Sequence, residues 1–213
     1  MISDLPHVPD RRERRALLGV LARAFRDNPM NIALHGPRLG RRVRANRAGL
    51  RSIVLDSQLP IEMRVLSLNN EVVGGFIAAP PELPVLPAPF LVRQIACFLE
   101  QGARAMDGWG ELTARLSADR PLIPHWYVSV LGVEPDLHGE GIGATLLASL
   151  FERVRASPAP IYLECDRPAS VAFYRNHGFE IRGEQSIHGV EIRCLGRGFP
   201  DESPDLCDSV RQA

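Results

Sequence analysis

Leu17, Leu18, Leu21, Ala22 and Phe25 recur at helical spacing behind Asp10, which predicts a helix running to about Arg26 with Asp10 as its cap. Asn28-Pro29 stops it, because a proline holds the residue before it in extended backbone. A second helix is predicted over Leu39–Asp56 with its arginines outward. The pattern then turns strand-like over Ile61–Leu68 and Val72–Ala79, and Asn69-Asn70 makes a hairpin turn between them. Five prolines in ten positions exclude regular structure from Pro80–Pro89, which reads as a stiff loop. Helical patterning resumes over Phe90–Ala105 and Gly110–Leu116. Beyond it come strand Trp126–Val133, helix Gly143–Arg155, strand Ile161–Cys165, helix Ala169–His177, and strands Phe179–Glu184 and Val190–Leu195. No repeat or linker divides the chain. Residues 1–198 read as a single domain and 199–213 as a polar tail.

One junction carries chemistry. The strand ending at Val133 passes Pro135 and enters His138-Gly139-Glu140-Gly141-Ile142-Gly143-Ala144-Thr145, directly ahead of an amphipathic helix. That layout gathers backbone N–H groups and the positive end of a helix dipole around one point, where a pyrophosphate can sit without a cationic side chain. Gly139, Gly141 and Gly143 are expected to allow positive φ and close approach of a phosphate. A dinucleotide fold would place G-x-G-x-x-G near the start of a repeated strand–helix array. Here the order is G-x-G-x-G, past the middle of the chain and behind a hairpin. A glycine-rich structural turn is the other reading.

Composition narrows the choice. The 213 residues, 45% hydrophobic, suffice for one packed domain, and zero formal net charge argues against nucleic acid or an anionic membrane as partner. All 25 basic residues are arginine, so P-loop and Schiff-base lysine mechanisms are excluded. Cys97, Cys165, Cys194 and Cys207 lack paired spacing, and His7, His35, His177 and His188 show no ligand spacing, so no metal site is expected. The start of the chain has no secretory pattern, and Val85–Leu99 is too short and interrupted to span a bilayer. A soluble, cytoplasmic protein with reduced thiols is expected. The run Arg11-Arg12-Glu13-Arg14-Arg15 reads as a solvated helix face.

Farther on, Leu163-Glu164-Cys165-Asp166 ends a strand, and Ala172-Phe173-Tyr174-Arg175-Asn176-His177-Gly178-Phe179 closes the next helix. With the glycine loop and the apolar-x-Val strand end before Pro135, these segments resemble the GNAT superfamily of acyl-CoA-dependent N-acetyltransferases over about Pro124–Leu195. The Pro-rich loop, the helical insert (together 80–120) and His125-Trp126-Tyr127 are similar to the puromycin N-acetyltransferase-like branch. The resemblance implies an α/β fold: a mixed, mostly antiparallel twisted sheet flanked by helices on both faces, with splayed central strands. It implies a bulge near Leu131-Gly132 and, beyond it, backbone groups of Leu131 and Val133 that pair with the pantetheine arm of acetyl-CoA. Amides from His138 through Gly139, Glu140, Gly141, Ile142, Gly143 and Ala144 to Thr145 would hold the pyrophosphate, with Ser170 and Phe173 alongside the arm. Tyr174 takes the position of the family's general acid.

The implied activity is transfer of an acetyl group from acetyl-CoA to the amine of a small molecule, by direct attack in a ternary complex. The 80–120 segment would narrow the acceptor side, with Trp126, Tyr127 and Phe90 as candidate lining. Tyr127 stands where many members carry a glutamate, so the base is open: Glu164 is nearest, His125 and Asp166 stand behind it, and a water or a neutral amine would also serve. The other reading of Glu164, of at least equal weight, is a strand residue paired with one of the arginines. His138, Glu140, Arg167 and Ser170 depart from the family pattern, and the family's first strand is nearly absent from Met1–Pro9. Two alternatives stay open: a catalytically weakened acyl-CoA-binding or regulatory protein, or transfer to a protein or peptide amine. The fold also allows a homodimer.

Overall fold

The computed structural model describes residues 5–56, 60–83, 91–156 and 158–200. The helices are α1 (Arg11–Ala24), α2 (Pro29–His35), α3 (Leu39–Leu55), α4 (Leu91–Gln101), α5 (Ala103–Ala118), α6 (Ile142–Ala156) and α7 (Pro168–Arg175). The strands are β1 (Glu62–Leu68), β2 (Glu71–Ala79), β3 (Trp126–Val133), β4 (Ile161–Cys165), β5 (Glu180–Ile187) and β6 (Val190–Arg197). They form one sheet of order β1-β2-β3-β4-β6-β5 in which only β3 and β4 run parallel. The expected mixed, mostly antiparallel sheet with helices on both faces is the fold observed.

Local chemistry explains the start of the chain. Asp10 accepts from the Glu13 amide at 2.8 Å and Glu13 accepts from the Asp10 amide at 2.9 Å, a reciprocal cap that contributes about 1 kcal/mol to α1. Ahead of it, His7 makes one bridge to Val65, all that the described residues show of a first strand. Asn69 and Asn70 both take positive φ, 52° and 65°, in the turn between β1 and β2.

Three groups of side chains fill the interior. Leu66, Phe76, Trp126, Val128 and Leu163 pack beneath Leu146, Leu147 and Leu150 of α6. On the opposite face, Leu17, Leu18 and Leu21 of α1 and Val54 of α3 meet Val65, Ile77 and Val130. On that same face, Leu112 and Leu116 of α5 cover Tyr162, Ile187 and Ile192. Neighbours Phe76 and Ile77 take opposite faces, as the strand period requires.

Several expectations are corrected. Val128 and Val130 are two residues apart yet face opposite sides, because Ser129 is an extra residue in β3: Ala78 pairs with Val128 and Ile77 with Val130. The bulge therefore lies at Ser129, not near Leu131-Gly132. Pro29 does more than end α1; it takes the first position of α2, where its missing N–H costs nothing. The helix expected over Phe90–Ala105 is broken at Gly102, whose φ is +86°. Most of the proline loop, Phe90 and the tail fall in residues 84–90 and 201–213, outside the described residues. Among the described residues, no helix is long and apolar enough to cross a membrane, and no His, Cys, Asp or Glu cluster could hold a metal ion.

Candidate active site

Strands β3 and β4 pair at only two positions, Trp126 with Ile161 and Tyr127 with Tyr162, and then part. On its other edge β3 stays zipped to β2. Glu134 N donates to Val73 O at 2.8 Å, so the alternate residues Gly132 and Val130 also turn their amides toward β2. The backbone groups of Leu131 and Val133 therefore face the gap, and the bulge sets this by reversing the alternation that Trp126 begins. The gap-facing side is not wholly open: the His138 ring donates through Nε2 to Val133 O at 3.2 Å.

Beyond the strand, a short 3-10 turn over Pro135–Leu137 leads to Gly139 (φ +91°) and Gly141 (φ +80°), and α6 begins at Ile142. A Cβ at either glycine would meet no atom within 4 Å, so both border open space. Gly143 differs from expectation. It lies in the helix, and a Cβ there would stand 3.4 Å from the Phe173 ring, so it serves close packing of α6 on α7. Not every amide of the loop is available either. Those of His138, Glu140 and Thr145 donate to Pro135 O, Leu137 O and Gly141 O. The amides of Gly139, Gly141, Ile142, Gly143 and Ala144 make no hydrogen bond among the described residues. These five amides are free to donate to an anion, and the Glu140 side chain is exposed beside them.

On the α1–α3 face, a cavity of about 580 Å³ reaches both parted strands. Tyr127, Ser129 and Val130 line it from β3, Glu164, Cys165 and Asp166 from the end of β4, and α2, α3, α4 and α5 supply its walls. A second hollow of about 530 Å³, bordered by Arg11, Arg14, Arg15 and Arg51, lies on the surface away from the gap.

Glu164 is the charged centre of the cavity. Arg120 Nε donates to its Oε1 at 3.1 Å, and the guanidinium carbon stands 3.8 Å from the centroid of the Tyr127 ring. Burial raises the Glu164 carboxyl above the ordinary range, and the charge of Arg120 with a hydrogen bond from Tyr127 pulls it partly back. The arginine partner expected for Glu164 is thus Arg120, a residue the sequence reading did not single out. Asp166 is committed elsewhere: its oxygens accept from Met30 N and Asn28 Nδ2, each at 2.9 Å, which ties α2 to the end of β4. His125 donates to Ile123 O at 2.8 Å, packs against Tyr162 and Phe199, and is not part of the cavity lining.

Tyr174 is 7% exposed on α7, with its ring edge-on to Phe173 at 5.2 Å and to Phe179 at 5.3 Å. Burial, and after it the neighbouring Cys165, push its hydroxyl pKa upward. Ser170 sits in the first turn of the same helix, its amide bonded to Arg167 O. Of the aromatic residues expected in an acceptor pocket, Tyr127 lines the cavity, whereas Trp126 is 2% exposed in the core beneath α6. Trp109 of α5 lines it instead.

Residues 94–181, which run from α4 into β5, match the family described as Acetyltransferase (GNAT) domain. The match covers less than half of the chain and, together with the fold described above, supports a GNAT acetyltransferase domain there. Among curated proteins, a mycothiol acetyltransferase of Mycobacterium sp. (strain JLS) is 44% identical over 70 residues, 30% of this chain and 23% of that protein. A mycothiol acetyltransferase of Brachybacterium faecium is 23% identical over 190 residues, 88% of this chain and 42% of that protein. The chain thus spans less than half the length of these relatives. Among solved structures, a histone acetyltransferase HPA2-related protein from Corynebacterium glutamicum aligns with a TM-score of 0.62 at 18% identity, over 96% of this chain and 99% of that one. The PaiA N-acetyltransferase of Thermoplasma acidophilum, solved in complex with coenzyme A, aligns at 0.54 and 12% identity over 92% and 99%. At such identities the alignments speak for the fold alone.

Proposed function

We propose that the protein transfers an acetyl group from acetyl-CoA to the amine of a small molecule, by direct attack in a ternary complex. The observation that carries this reading is the parting of β3 from β4 between an amide cradle and a cavity. Acetyl-CoA supplies an activated thioester. The chain supplies anion-binding amides at Gly139, Gly141, Ile142, Gly143 and Ala144, free backbone groups at Leu131, and a chamber of ligand size. Holding two reactants in line can lower a barrier by about 7–11 kcal/mol, and this geometry serves that end. In this reading Tyr174 protonates the departing thiolate, and Glu164 or a water beside it accepts the amine proton. Four helices wall the cavity, which favours a small acceptor over a protein tail. A cytoplasmic location fits too, since no disulfide joins the cysteines of the described residues.

The puromycin N-acetyltransferase-like branch rests on the 80–120 segment and the start of β3 alone. The curated relatives above are mycothiol acetyltransferases, so the acceptor is left to experiment. One observation favours the weakened, acyl-CoA-binding alternative: the ion pair that ties Glu164 to Arg120. Thiol release from acetyl-CoA across a panel of small amines and peptides separates the readings. Turnover with small amines supports the proposal. Turnover on peptides alone overturns the small acceptor, and tight acetyl-CoA binding with no turnover favours the alternative.

The cradle has its own test. Gly141→Val forces a branched side chain into left-handed backbone at φ +80°, at a cost of about 1–3 kcal/mol, and puts its methyl groups in the space where phosphates would sit. Affinity for acetyl-CoA, measured by calorimetry, is expected to fall about 10-fold or more, since 1.4 kcal/mol is one decade. Unchanged affinity would remove the cradle from the binding site.

A further inference from the structure

Helix α3 runs back along α1. Asn46 Nδ2 donates to Ala22 O at 3.2 Å, and a Cβ on Gly19 would stand 3.7 Å from the Arg47 guanidinium. The first turn of α1 therefore meets the last turn of α3. Where they meet, Arg11, Arg14 and Arg15 from α1 and Arg51 from α3 border the hollow of about 530 Å³, with Pro9 and Leu55 as its apolar part. Arg14 is half-buried there, and the other three arginines are exposed. None of the four guanidinium groups has a hydrogen-bond or ion-pair partner among the described residues. Farther along the same helices, Arg23 is paired with Glu134, and Arg26 and Arg42 with Asp27.

The sequence explains the difference. Residues 11–56 hold twelve of the chain's 25 arginines and only three acidic residues, although the formal net charge of the whole chain is zero. Of those three, Glu13 is held by the Asp10 amide and His7, and Asp27 by its two arginines. Asp56 is the one carboxylate on the rim of the hollow. Like charges gathered around one concavity repel one another, and an anion between them relieves that repulsion. A guanidinium fork also matches two oxygens of a phosphate. One phosphate dianion cannot balance four such groups, even with Asp56 counted against them, whereas a short chain of phosphates can.

We infer that this hollow binds a small oligophosphate, as a free chain of phosphates or as the phosphate end of a nucleotide. Its volume is that of a small-molecule site. The site is separate from the amides of residues 139–144 and does not depend on acetyl transfer. A long polyanion is the competing occupant, because Arg47 and Arg44 continue the arginine row along α3. The acidic excess of the remaining chain, which brings the net charge to zero, opposes a long polyanion more than a compact one.

Calorimetric titration with inorganic triphosphate, ATP and a long oligoadenylate, each with acetyl-CoA saturating, tests this. The expected result is one triphosphate or ATP per chain, with affinity lowered about 10-fold by Arg14→Gln and again by Arg51→Gln. Neither substitution touches the glycine loop, so the loss assigns the binding to the hollow. Arg12→Gln removes the same charge from the same turn but lies outside the lining, and is expected to change nothing. Tighter binding of ATP than of triphosphate would identify a nucleotide as the ligand, and equal binding a bare phosphate chain. An equal loss from Arg12→Gln would reduce the site to the diffuse charge of a helix face and overturn the inference. So would failure of both triphosphate and ATP to bind, or binding of the oligoadenylate alone.

Discussion

Tyr174→Phe is expected to lower kcat by about 100-fold or more while leaving affinity for acetyl-CoA unchanged. Aminolysis of a thioester ends with a thiolate that needs a proton, and Tyr174 stands on α7 beside Cys165 at the end of β4. Burial pushes its hydroxyl pKa above the ordinary value of about 10, so the group stays protonated throughout the neutral range and is always a donor. No fall in rate from its ionisation is therefore expected below about pH 10. The substitution keeps the ring and its edge-on contacts to Phe173 and Phe179, so the melting temperature should hardly move. Steady-state rates of thiol release, with calorimetric binding alongside, make the measurement. A kcat equal to wild type would show that Tyr174 is packing alone.

How far this could be read in advance depends on whether the information was local. The caps and periodicity of α1 lie within a few residues, as does the Asn69-Asn70 turn, and both are found where the pattern put them. So are β3 and β4, to the residue. Helix α2 was illegible because seven residues hold too little periodicity to register, and Pro29 reads as a stop as readily as a start. The bulge was illegible for a different reason. Trp126, Val128 and Val130 alternate in sequence without interruption, and only pairing with β2 shows that Val130 has changed faces.

The two halves of the site divide in the same way. The candidate cradle is contiguous backbone, so the glycines mark where to look for it, although which amides are taken by Pro135, Leu137 and Gly141 could not be read from them. The cavity is assembled from residues as distant as Phe25 and Ile192, and no spacing rule joins them. Arg120 lies between the last turn of α5 and β3, in a stretch with no pattern, among 25 arginines of the chain. The one available signal was Glu164 itself: a carboxylate near a strand end, facing the interior, calls for a cation.

That dependence sets up the second large effect. Arg120→Met is expected to destabilise the protein by about 3 kcal/mol at neutral pH, because it leaves the Glu164 carboxylate, side chain 7% exposed, without its counter-charge. The sign with pH follows from linkage. The folded Glu164 pKa already lies above its unfolded value through burial, and losing Arg120 raises it further. The folded variant then holds its proton more tightly than the unfolded chain. Its stability falls as pH climbs from the ordinary carboxylate value of about 4.3 through the folded pKa, and levels off above it. Melting temperatures of wild type and variant should therefore lie close together near pH 4 and separate as the pH is raised. Adding Glu164→Gln removes the stranded charge, so the double variant should recover much of the loss at neutral pH. A deficit that is the same at every pH, and that Glu164→Gln fails to relieve, would trace the effect to the guanidinium stacked on Tyr127 rather than to the carboxylate.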